Sequence, residues 1–156
     1  MSRTRIAGIA LCLAAASATL VAAVAGASGS ATPTSLRLFS VELPKTEVYV
    51  DNGKKGESPG DMILFAERLH RGSRSGPVVG RLEVVCTFVS ERGSRCHGTL
   101  ILANGTLEAA GRVVFAGPRV RLPVVGGTKS YAGARGELII TEVTDSTDRY
   151  DITLQS

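Results

Sequence analysis

The chain has 156 residues, enough for one domain with a real core and too few for two comfortable ones. Its 18 basic and 14 acidic residues give a net charge of +4 with no Trp and few aromatics, so neither a basic stripe nor a base-stacking platform for nucleic acid is present. No phosphate loop, nucleophile motif or set of metal ligands occurs, and no cofactor or metal is expected.

Residues 1–27 read as a secretory signal peptide. Arg3 and Arg5 form a basic start, Ile6 to Ala25 is uncharged and apolar, and Ala25-Gly26-Ala27 offers small residues for cleavage after Ala27. A membrane anchor is the competing reading, but the run is Ala-rich and no basic stop-transfer flank precedes Ser28-Gly29-Ser30. Cleavage would leave 16 basic and 14 acidic residues and an exported protein with no membrane segment. A polar connector at 28–34 then leads into one domain, 35–156.

Strands follow one another from there. Leu36–Leu43 alternates in part until Pro44 interrupts it, and Thr46–Val50 is a short β-prone run. Residues 51–60 carry Asn52-Gly53 and Pro59-Gly60 and read as a loop. Asp61–His70 begins apolar and becomes charged. Pro77–Val89 shows the clearest period of two, with Val78, Gly80, Leu82, Val84, Cys86 and Phe88 on one face and Arg81, Glu83 and Thr87 on the other. Cys96–Ala103 runs into the hairpin signal Asn104-Gly105. Asn104-Gly105-Thr106 also spells a glycosylation acceptor, which the turn explains better. Segments 106–115, 120–125, 137–143 and 149–154 complete about eight strands with no convincing helix, which implies a sandwich or a barrel.

Two cysteines remain after cleavage, Cys86 and Cys96, and the turn residues 90–94 sit midway between them. An oxidising compartment and an even count favour a cross-strand disulfide, which should stabilise the fold by about 2–3 kcal/mol. His97 is adjacent, but no further ligand completes a zinc set. His70 and His97 are expected at the surface near strand ends.

The most distinctive segment is Leu122-Pro123-Val124-Val125-Gly126-Gly127-Thr128-Lys129-Ser130-Tyr131-Ala132-Gly133-Ala134-Arg135-Gly136. It resembles the dirigent signature in which V-V-G-G-T-G leads through an aromatic to A-R-G. Gly60-Asp61 with Phe65 and Leu69 is similar to the G-D-x-x-x-F-x-x-x-L strand shared with allene oxide cyclases. Val79-Gly80-Arg81, Asn104-Gly105 and Gly111-Arg112 fit the same order. The resemblance implies a single eight-stranded antiparallel β-barrel with an apolar lumen, usually trimeric. It also implies a secreted protein that binds an apolar or phenolic small molecule and steers its coupling or cyclisation without a cofactor. A cofactor-free isomerase or cyclase is the second possibility, and a non-catalytic extracellular interaction scaffold the third. Lys129-Ser130 departs from the dirigent pattern, and the acidic residue of that plant loop has no counterpart.

Two candidate catalytic residues come with the resemblance. Arg135 matches the arginine of A-R-G, which belongs to the polar end of the plant cavity; bracing the loop through backbone carbonyls is the alternative. Glu42 falls near the aspartate of the first dirigent strand and would be a proton donor inside an apolar lumen, or a solvated group outside it. Asp61 is expected to open a strand and cap a turn. Gly126, Gly127, Gly133 and Gly136 are expected to serve positive φ or close backbone approach at a barrel end.

Overall fold

The computed structural model describes residues 34–114 and 117–155, so the signal peptide expected at 1–27 and the expected connector up to residue 33 lie outside the described residues. Within them the fold is all-β: β1 (Thr34–Glu42), β2 (Val48–Val50), β3 (Met62–Arg71), β4 (Val78–Ser90), β5 (Gly93–Leu102), β6 (Gly105–Val113), β7 (Arg119–Gly127), β8 (Arg135–Thr144) and β9 (Thr147–Gln155). All neighbours are antiparallel in the order β1-β9-β8-β7-β6-β5-β4-β3-β2, and β1 also pairs with β3 from Leu38↔Arg71 to Glu42↔Glu67. That last pairing shuts the sheet into an eight-stranded barrel with β2 as an added strand. No helix among the described residues is long and apolar enough to cross a membrane.

The sequence explains why β1 and β2 are separate. Pro44 lacks the amide that a ladder needs, and Lys45 turns the chain at φ 66°. The strand resumes as β2 along the first residues of the same β3, Val48↔Leu64 to Val50↔Met62. Thr46 patches the gap, its hydroxyl accepting from the Ala66 amide at 3.1 Å and donating to the Leu43 carbonyl at 2.8 Å.

Strand alternation sends one set of side chains into the barrel. Leu69, Leu82, Leu100, Leu107, Leu138 and Ile152 are each at most 2% exposed and form the centre of the core. The inward face expected for β4 is correct for Leu82 and Cys86, but Val78 is 57% exposed. A bulge at Leu69/His70 breaks the alternation where Val78 joins β3.

Cys86 and Cys96 stand opposite each other on β4 and β5 and are disulfide-bonded, with their Cα atoms 4.0 Å apart. Because the bond closes a loop of 10 residues, its reduction is expected to lower unfolding stability by about 2–3 kcal/mol, read from denaturant curves with and without reductant. The β5–β6 turn falls one residue earlier than Asn104-Gly105 suggests. Ala103 and Asn104 make the turn, and Gly105 is already paired with Leu102.

Of the signature glycines, Gly127 and Gly136 answer to close approach. A Cβ would lie 2.5 Å from the Tyr131 carbonyl oxygen at the first and 2.0 Å from that of Thr153 at the second. Gly133 has φ 75°. Gly126 meets neither expectation: its φ is not positive, and an added Cβ would find nothing within 4 Å. The segment between them is not plain loop, since Lys129–Tyr131 forms one 3₁₀ turn.

Asp61 sits immediately before β3 and is fully buried. Its carboxylate accepts from the Tyr49 hydroxyl at 2.6 Å and from the Asn52 and Ser58 amides at 2.8 and 2.6 Å, so it ties down both ends of the 51–60 loop. The Tyr49 hydrogen bond, helped by those amides against the cost of burial, holds the carboxyl below its ordinary value. The same bond pushes the Tyr49 phenol up to about 12.

Candidate functional site

The barrel interior is not filled. An apolar chamber of about 260 Å³ is lined by Leu82, Val84, Cys86, Phe88, Cys96, Gly98, Leu100, Ala109, Val113, Leu122 and Leu138. At one end it meets a wider vestibule of about 700 Å³. Ile63, Phe65, Glu67, Val120, Ile140 and Asp148 line both spaces, so one opens into the other.

The side chains with oxygen that line the inner chamber, among the described residues, are Glu67, Asp148 and Tyr150. Glu67 shares its face of β3 with Ile63, Phe65 and Leu69, and this alternation alone turns it inward. Tyr150 and Asp148 share the inward phase of β9 with Ile152 and Leu154. The Tyr150 hydroxyl donates to Glu67 Oε2 at 3.2 Å. Ser40, 1% exposed on β1, stands opposite Leu69 and Asp148 beside this group.

Burial sets the electrostatics of this group. Glu67 is 8% exposed, and desolvation raises its pKa above the ordinary glutamate value. The negative charges of Asp148 and Glu42 add to the rise, while the Ser40 and Tyr150 hydroxyls oppose it. Asp148 is raised by burial and then by Glu142. Tyr150 is held well above its usual value by burial and by the two carboxyls, so it stays a phenol and a donor. A carboxyl biased toward its protonated form, beside a phenol and at the end of an apolar chamber, can give a proton to a bound molecule or take one from it.

The structure does not bring Glu42 and Arg135 together. Glu42 lies at the vestibule, exposed, directly opposite Glu67 across β1 and β3. Arg135 opens β8 at the other end of the barrel, about 23 Å of strand away from the mouth-lining Glu142. It is exposed, and its Nη1 donates to the Ala134 carbonyl at 2.8 Å, the bracing geometry. Sequence reading missed Glu67, Asp148 and Tyr150. The signal that could have found Glu67 was its place in phase with Ile63, Phe65 and Leu69.

No group of three or more His, Cys, Asp or Glu side chains among the described residues is arranged to hold a metal.

None of the curated proteins matches this chain in sequence. Among solved structures, a pyocyanin demethylase superposes with a TM-score of 0.68 at 25% identity, over 78% of this chain and 100% of its own. A pterocarpan synthase dirigent protein superposes with a TM-score of 0.65 at 25% identity, over 80% and 96% of the two chains. An exo-specific intermolecular Diels-Alderase shares the fold at 16% identity and a TM-score of 0.63, over 79% and 98%. The model of the allene oxide cyclase barrel like domain matches residues 44–154. With most of its length so matched and its strands closed into one barrel, the chain belongs to the allene oxide cyclase barrel-like family.

Proposed function

We propose that this is an exported barrel that takes an apolar or aromatic small molecule into its lumen and steers its rearrangement or cyclisation by proton transfer at Glu67, without a cofactor. The observation that carries the reading is the open apolar chamber ending at Glu67, Tyr150 and Asp148. An apolar space with a few convergent polar groups and a perturbed carboxyl is the usual form of a small-molecule site. A demethylase, a synthase and a Diels-Alderase built on the same barrel support it. Glu42 stands at the mouth as a second carboxyl within reach of an entering molecule, and Arg135 has no part in the step. Export is supported by the disulfide, which persists in oxidising compartments.

Native mass spectrometry of the exported protein, after incubation with a lipid and phenolic extract, tests the reading. One retained small molecule per chain is expected, and the same spectrum reports subunit number, which we expect to be three. A protein that retains nothing from either fraction overturns the proposal.

A further inference from the structure

The vestibule has an unusual charge. Six acidic side chains line it, Glu42, Glu47, Glu67, Glu142, Asp145 and Asp148, and among the described residues no Lys, Arg or His does so. The whole chain has 14 acidic residues and a net charge of +4, so nearly half of its acid is gathered at one barrel end of a basic protein. The groove at the far end instead carries Arg37 and Arg71. Two of the mouth pairs are like-charged partners directly across strands, Glu42↔Glu67 and Glu142↔Asp148, an arrangement that destabilises a sheet.

From this juxtaposition we infer that the molecule bound in the lumen has an apolar body and carries a positive charge at the end facing the mouth. The inference rests on the lumen-binding reading above and specifies its substrate class. The apolar chamber takes the body, and the carboxylate ring takes the charged end. Phe65, which lines both spaces, puts an aromatic ring at the boundary where such a charge would rest. A ring of one sign around a low-dielectric cleft also concentrates ligands of the opposite sign and speeds their capture. An anionic ligand would be repelled at the same place.

Three acridines of one shape separate the possibilities: N-methylacridinium, neutral acridine and an acridine carboxylate, titrated by fluorescence into the mature protein at a pH where acridine is uncharged. The cation is expected to bind about tenfold more tightly than acridine, since a few surface carboxylates together contribute on this scale. Added salt should narrow the gap, the carboxylate should bind most weakly, and the double variant Glu47→Gln/Glu142→Gln should bring cation and neutral acridine together while leaving acridine binding unchanged. If acridine binds as tightly as the cation, or if the preference survives in the double variant, the charge inference falls and the lumen reading stands. If none of the three binds, both fall.

Discussion

Replacing Glu67 by glutamine should cut conversion of the lumen's substrate by about 10²–10⁴-fold, the usual contribution of a positioned acid or base, while the ligand is still bound. Glutamine is nearly isosteric, and its side-chain carbonyl can still accept from the Tyr150 hydroxyl, so the barrel should fold as before. The substitution has a second readout that needs no substrate. Because the folded-state pKa of Glu67 is raised, the native barrel prefers the protonated carboxyl. Its stability is therefore full below the ordinary glutamate value of 4.5 and falls as pH rises through the raised one. Glu67→Gln should remove that part of the decline, so the variant gains on the parent protein as pH increases. Chemical denaturation across this pH range checks the sign; a variant that loses ground at higher pH would show that Glu67 is not a desolvated acid.

Gly98→Leu should abolish ligand uptake without unfolding the chain. Gly98 lines the chamber on β5, and a Cβ placed there would meet Leu82 Cδ1 at 3.4 Å and Val84 Cγ2 at 3.7 Å, ordinary contacts. Its φ is not in the positive range, so a side chain brings no backbone strain. The added isobutyl group would then occupy the inner chamber in place of ligand. Loss of binding with an unchanged or higher melting temperature is expected, since apolar surface is buried in what was a void. Binding that persists in this variant would place the ligand elsewhere.

The strands were legible because their code is local. Alternation over Val78–Phe88, the break at Pro44 and the turn residues at 103–105 each act within a few residues, and every strand expected from the sequence is present within a few residues of its bounds. The disulfide was equally local, its two halves spanning one turn. The choice of barrel over sandwich was not readable from pattern, because it depends on β1 pairing with both β9 and β3. That same closure hides the site. Glu67 and Tyr150 are 83 residues apart and meet only because β1 brings β3 and β9 around to each other. The charged second half of the Asp61–His70 strand drew attention away from Glu67, although its inward phase was set by Ile63 and Phe65. Arg135 drew attention through its motif, yet its position at the start of β8 puts it beyond the chamber's reach.

The central claim is that the barrel holds an open, apolar chamber rather than a solid core. Xenon occupies empty apolar cavities and leaves polar or filled ones alone, so a crystal of the protein pressurised with xenon tests it directly. A xenon atom among Leu82, Val84, Leu100 and Leu122, within the space of about 260 Å³, is the predicted result. Side chains packed through that space, with no xenon bound there, would contradict the account.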